Sequence, residues 1–117
     1  MKRVYVDMDG VLADYDKRFL ARRHANPNND FPQMEYGFFT KLEEMEGAKT
    51  GINLLAKHFD VWIATRPSLK NPLCYVEKRV WVEEHLGMKW VDRLILTPNK
   101  GLLIGDVLID DSPCPGS

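Results

Sequence analysis

The 117-residue chain is poor in the groups that build covalently stapled or zinc-held folds. Its two cysteines, Cys74 and Cys114, lie far apart with no other cysteine near either. That spacing excludes a disulfide framework and a CxxC metal or redox site, leaving two plain thiols. The three histidines, His24, His58 and His85, are too widely separated for a helical HxxxH ligand pair, so structural or solvated roles are expected for all three. Excess charge is also missing, since 16 Lys plus Arg against 17 Asp plus Glu give a formal charge of −1. No general surface for nucleic-acid polymers or anionic membranes follows from such a balance. Apolar runs reach only a few residues, too short to span a membrane. Met1-Lys2-Arg3 resembles the charged start of a signal peptide, but Asp7, Asp9 and Asp14 fall where its apolar stretch would have to be. A cytoplasmic protein is the expectation, and no repeat or low-complexity tract complicates it.

What is present is ordinary for one globular domain: 44% hydrophobic and 28% charged residues over a length that suits a single core. Strand-like runs at Val4–Val6, Phe59–Ala64, Arg93–Thr97 and Val107–Ile109 alternate with helical patterns. One helix is predicted over Ala48–His58, with Ile52, Leu55 and Phe59 on one side. A second is predicted over Tyr75–Gly87, with Val76, Val80, Trp81 and, less regularly, Val82 and Leu86 as its apolar positions and Gly87 as its stop. This order predicts an α/β fold with a doubly wound parallel sheet and right-handed crossovers, which binds ligands at the carboxyl ends of its strands. Residues 15–46 break the pattern: Asn26-Pro27-Asn28-Asn29-Asp30 and Phe31-Pro32 divide them into a helix, a loop and a short second piece, an insertion after the first strand.

Polar residues gather where such a sheet would bind. Asp7 and Asp9 are two apart at the end of a strand, so both can face one side, and Gly10 permits a sharp turn. Alone, DMDG is as well explained by a capped strand-to-loop turn, and Asp110-Asp111 by a solvated one. Their convergence on one sheet edge changes the argument, because clustered carboxylates repel unless they share a proton or a cation, and hard oxygen ligands of this kind suit Mg²⁺. Thr65 ends the second strand, where its hydroxyl and the following N–H groups could donate to an oxyanion. Lys100, alone a commonplace loop lysine, precedes the strand that ends in Asp110-Asp111.

DMDGVLAD, Thr65, Lys100 and GDVLIDD resemble, in order, the four motifs of haloacid dehalogenase superfamily phosphatases. With GFFTKLEEMEGA, the TRPS turn, YVEKRVWVEEHLG and LILTPNK they are similar to the 5′(3′)-deoxyribonucleotidases. The resemblance implies a single core over residues 1–117 with 15–46 as a reduced cap. It implies a phosphomonoesterase acting on a (deoxy)nucleoside monophosphate, with Asp7 as nucleophile and Asp9 as acid and base. Asp7, the backbone carbonyl of Asp9, and Asp111 would hold Mg²⁺, with Asp110 supporting Lys100 or the metal's waters. Thr65 and Lys100 would bind phosphate. Lys78 matches a substrate-site lysine, against a surface reading as an i,i+4 partner of nearby acids, and Tyr15 matches an aromatic of the nucleoside pocket, against a reading as a core tyrosine.

Departures from the family pattern qualify the substrate. The insertion is short and lacks clear counterparts of the cap aromatics, so weak discrimination among bases is expected. Arg66 stands where a small hydroxyl residue is usual, placing a cation or a plug beside the phosphate. The chain ends before the last strand and helix that the resemblance implies; PCPGS reads as a frayed end, a truncation or a join, and an exposed sheet edge there would favour a homodimer. Another small phosphate ester, such as a sugar phosphate, and a non-catalytic nucleotide-binding module are the alternatives. Dehalogenation would leave Asp9 idle. A receiver-type signalling module carries its acid pair first and its lysine last, the reverse of the order here.

Overall fold

A computed structural model describes residues 1–111; Cys114 and the PCPGS end lie outside the described residues. Four strands, β1 (Arg3–Val6), β2 (Asp60–Thr65), β3 (Leu94–Leu96) and β4 (Val107–Ile109), form one parallel sheet in the order β3-β2-β1-β4. Val4 pairs with Val61 on one side and Val107 on the other, and Val6 with Ile63 and Ile109. β-Branched residues fill the two central strands because their side chains pack well on a pleated surface buried between layers, and Val4, Val6, Val61 and Ile63 are all buried. The sheet grows from β1 through β2 to β3, then returns to place β4 beside β1. That reversal opens a crevice at the carboxyl ends of β1 and β4, the place where open α/β sheets bind ligands.

The four strands lie where the sequence predicts them, to within a residue at either end. Helix α2 (Ala48–Leu55) stops three residues early, and turns carry the chain to Phe59; Ile52 is its buried residue, as expected. Helix α3 (Cys74–His85) ends as predicted at Gly87, whose φ of 102° favours glycine and whose N–H returns to the Val82 carbonyl at 3.0 Å. The short helix α4 (Met88–Val91) comes next and buries Trp90.

The face of α3 is a correction. Val76, expected to be inward, is 58% exposed, and the buried residues are Cys74, Glu77, Lys78, Trp81 and Val82. Steps of three and four from Cys74 select this face, and two of its positions are charged because their partners come from other elements. The Cys74 sulfur accepts the Ser68 N–H at 3.2 Å, and burial pushes its thiol up, which suits an unreactive group.

The insertion leaves β1 and returns through a closed neck, where Asp14 N–H donates to Glu43 O at 2.8 Å and Met45 N–H to Leu12 O at 2.8 Å. Within it lie α1 (Tyr15–Ala25), capped by Asp14, and two 3₁₀ turns at Pro32–Met34 and Phe39–Lys41. No residue of α1 is fully buried. Arg22 pairs with Glu35 at 3.0 Å and Arg23 with Asp30 at 3.2 Å, but such partly exposed pairs contribute little. Stronger ties come from α3 and the loop before it. The buried Glu77 carboxylate accepts the N–H groups of Gly37 and Phe39, both at 3.0 Å. The buried Asn71 amide donates to the carbonyls of Gln33 and Glu35, both at 3.3 Å. Charge-assisted bonds of the Glu77 kind are worth about 1.5–3 kcal/mol each, so this clamp outweighs the surface ion pairs.

Candidate active site

Asp7 follows β1 directly, and its own N–H donates to Ile109 O at 2.9 Å, which carries the β1–β4 ladder to the sheet edge. Parallel pairing therefore brings it beside Asp110 and Asp111 at the end of β4. Asp7 is 8% exposed, and burial pushes its carboxyl up to about 6, against the opposing pull of Lys100. Its Oδ1 accepts the Met8 N–H at 2.9 Å and meets Lys100 Nζ at 3.0 Å, leaving Oδ2 without a donor among the described residues. Lys100 is held in a 3₁₀ turn (Lys100–Leu102) by Asn99, whose side chain accepts the Gly101 N–H, and its Nζ also lies 3.5 Å from Asp110.

Carboxylate oxygens from Asp7, Asp110 and Asp111 all lie within 4.8 Å of one another. Burial, then Asp110, raises the Asp111 carboxyl above its usual range. Crowded oxygen donors with raised proton affinity fit a hard divalent cation, whose charge would remove their repulsion. Gly10 makes the cluster possible: its φ is +83°, and a Cβ there would stand 1.9 Å from Asp111 Oδ2. The glycine of DMDG thus meets both a backbone requirement and a close approach across the site.

Asp9 turns away from that cluster toward Lys78. The Lys78 ammonium is wholly buried on α3 and reaches Asp9 Oδ2 at 3.0 Å, Thr65 Oγ1 at 2.7 Å and Arg66 O at 2.6 Å. Three acceptors use all three of its protons. The second Asp9 oxygen, Oδ1, is buried with no partner among the described residues. Thr65 is fully buried and accepts from Lys78, so its own hydroxyl proton remains for another acceptor.

A cavity of about 1000 Å³ joins these groups, lined by Asp7, Asp9, Thr65, Arg66, Lys100 and the Asp110-Asp111 pair. Tyr15 forms part of its wall as the first residue of α1, packed on Phe38 edge-to-face at 5.5 Å and on Phe39 at 6.2 Å; burial, then Asp9, pushes its hydroxyl up to about 12. Arg66 is exposed at the rim, and its guanidinium makes no hydrogen bond or ion pair with the described residues. All the residues singled out in the sequence thus meet at one place, Lys78 behind the wall and the others on it. Sequence reading missed Gln33 and Phe39, which line the cavity from the insertion, and Glu77 and Asn71, which hold that insertion in place. Phe39 fell within the GFFTK block and Glu77 within the YVEKR block, but neither block indicated these roles. No helix among the described residues is long and apolar enough to cross a membrane.

Comparison with known proteins gives the family. The family model described as "5' nucleotidase, deoxy (Pyrimidine), cytosolic type C protein" matches residues 24–115. The human cytosolic-type 5′(3′)-deoxyribonucleotidase is 39% identical, with 93% of this chain and 70% of that protein covered. The mouse mitochondrial 5′(3′)-deoxyribonucleotidase is 34% identical, with 95% and 64% covered, and a putative 5′(3′)-deoxyribonucleotidase of Vibrio phage KVP40 is 36% identical, with 92% and 65% covered. The chain therefore spans about two thirds of the length of these relatives. The mouse alignment runs over 142 positions, of which 95% of a 117-residue chain fills all but about thirty. With the phage relative it runs over only 110 and is nearly gapless, so the compact layout is shared there. On the strength of the family model and of relatives at this identity, the chain belongs to the 5′(3′)-deoxyribonucleotidase family.

Proposed function

We propose that the protein hydrolyses a deoxyribonucleoside monophosphate to nucleoside and phosphate, through a phosphoryl group held on Asp7. The observation that carries this reading is the pairing of two unlike carboxylates at one strand end. Among the described residues, Asp7 has one oxygen fixed by Met8 N–H and Lys100 and the other without a donor, whereas Asp9 is held by Lys78 with its second oxygen unpartnered. Asp7 Oδ2 forms the new bond to phosphorus as the bond from phosphorus to the nucleoside oxygen breaks, and that oxygen takes its proton from Asp9. Asp9 then removes a proton from water as the water attacks phosphorus, which frees Asp7 and releases phosphate.

The remaining groups position charge. The Thr65 hydroxyl, oriented by Lys78, donates to a phosphate oxygen, and Lys100 faces the developing charge beside Asp7. Lys78 acts through Asp9 and Thr65, since its three protons are already taken. Arg66 is a cation on the cavity wall whose guanidinium is not engaged among the described residues, and its planar fork suits a phosphate edge. Tyr15 and Phe39 offer faces for a base. Mg²⁺ held by Asp7, Asp110 and Asp111, with the Asp9 carbonyl as a further candidate ligand, would neutralise the charge between the anionic nucleophile and the substrate. The relatives' names support the nucleotide substrate, and the cytosolic-type relative supports a cytoplasmic location. Exposed Ile104, Val107 and Leu108 along the β4 edge support a homodimer, which a monomeric mass at all concentrations would refute.

Phosphate release from deoxyuridine and thymidine monophosphates tests the reading. Activity should vanish in chelator, return with Mg²⁺, and return poorly with Ca²⁺, which is larger and less strict in geometry. Undiminished turnover in chelator would refute the metal, and no turnover of any phosphate ester would refute the enzyme.

A further inference from the structure

Two neighbouring residues of α3 carry opposite buried charges, yet their bonds go to different partners. Lys78 gives its protons to Asp9, Thr65 and the Arg66 carbonyl, and Glu77 takes the N–H groups of Gly37 and Phe39. Adjacent side chains on a helix do not face each other, so one can serve the strand ends and the other the insertion. Phe39 joins the two. Its N–H is held by Glu77 at 3.0 Å, and its ring lies over the Lys78 ammonium, 5.0 Å from Nζ to the ring centroid. Phe38 packs edge-to-face against the same ring at 5.0 Å. Phe39 also lines the cavity, so its ring stands between that space and a wholly buried ammonium. The face of an aromatic ring attracts a cation without taking its protons from other acceptors, whereas a water molecule in that place would compete for one.

We infer that Phe39, held by Glu77, is a positioning residue for Asp9: by covering Lys78 it keeps water from the ammonium, and so keeps the Lys78 protons on Asp9 Oδ2 and Thr65 Oγ1. The inference rests on the proposed reaction and deepens it. As the bond from phosphorus to the leaving oxygen breaks, that oxygen takes a proton from Asp9. An Asp9 out of place therefore costs most where the leaving oxygen is most basic. A 4-nitrophenolate departs with little help, whereas a phenolate or a nucleoside alkoxide needs the proton. Through Phe39 the insertion discriminates among phosphate esters by leaving group, without touching the reacting atoms.

Phenyl phosphate and 4-nitrophenyl phosphate test this, because neither carries a nucleobase and they differ chiefly in the basicity of the leaving oxygen. Since kcat/KM reports every step through departure of that oxygen, the readout is its ratio, 4-nitrophenyl over phenyl. Phe39→Leu keeps an apolar side chain and the N–H that Glu77 holds, and should raise the ratio about tenfold over wild type. Glu77→Gln keeps the shape but turns an amide N–H toward one of the two donors; it should raise the ratio about threefold, and it carries the test if Phe39→Leu does not fold. Phe38→Leu removes the neighbouring buried ring, which does not cover the ammonium, and should leave the ratio at its wild-type value. A ratio unmoved in Phe39→Leu, or moved as far by Phe38→Leu, would overturn the role of Phe39, and one unmoved in Glu77→Gln would overturn its dependence on Glu77. Asp9→Asn separates these outcomes from failure of the proposed reaction, since it should raise the ratio further than either variant. A ratio unmoved in Asp9→Asn would refute Asp9 as the acid, and the role of Phe39 with it.

Discussion

The sheet edge and the insertion are two halves of one cavity held together by different physics. At the edge, Asp7, Thr65 and Asp110-Asp111 are placed by parallel backbone pairing, which fixes the position of each strand's last residues and of their immediate neighbours once the register is set. The insertion meets backbone pairing only at its neck. Beyond the neck it is held by Phe38, Phe39 and Leu42 buried in the core and by side chains on α3 and the preceding loop, Glu77 and Asn71, which bond its backbone across 36 to 40 positions of sequence. In the proposed reaction, chemistry common to all phosphate esters would sit at the sheet edge, and discrimination would fall to the insertion. Changes at the edge should therefore affect every substrate alike, and changes in the clamp should affect substrates unequally.

The largest effect should come from the edge. Asp7→Asn keeps the shape and removes the proposed nucleophile, so kcat should fall more than about a thousandfold on nucleotide and aryl phosphate equally. The same variant should be more stable without metal. Asp7 binds its proton more tightly in the fold than outside it, so the stability this group contributes is lost as pH rises from its ordinary 3.8 to about 6 and stays lost above. Thermal denaturation in chelator at neutral pH should show a raised midpoint for Asp7→Asn, and the gain should disappear below about pH 4. A midpoint unchanged at both pH values would show that burial of this carboxylate carries no cost.

Glu77→Ala attacks the clamp. Two N–H groups lose a buried charged acceptor, and the fold should lose about 2–4 kcal/mol in urea denaturation. At temperatures where it remains folded, nucleotide hydrolysis should suffer more than aryl phosphate hydrolysis. Equal suffering would erase the distinction between the two halves. Arg66→Ala should be milder, raising KM about tenfold for all phosphate esters with little change in kcat, because the guanidinium serves the phosphate common to them. A KM unchanged for every ester would remove Arg66 from the site.

The same contrast explains what could be read in the sequence. Short β-branched runs ending in acids or Thr65 state both a strand and the residues at its end, so the sheet and the convergence of Asp7, Thr65, Lys100 and Asp110-Asp111 were legible. The inner face of α3 was not, because hydropathy favours Val76 over Lys78, and only the folded chain shows that Lys78 has three acceptors waiting. Glu77 and Asn71 carried no signal for a similar reason: each bonds to backbone, which has no sequence identity, at a distance that no local pattern spans. Gln33 lay in a stretch that reads as loop, where no local pattern marks a cavity wall.

Every step of the proposed reaction depends on a phosphoryl group passing through Asp7, and trapping it is the most direct test. Protein quenched in acid during steady turnover of deoxyuridine monophosphate with Mg²⁺ should yield a peptide containing Asp7 that is heavier by one phosphoryl group. The adduct should be absent from Asp7→Asn and lost on treatment with hydroxylamine, as an acyl phosphate is. Rapid turnover with no such adduct at any quench time, or an adduct on another residue, would contradict the account.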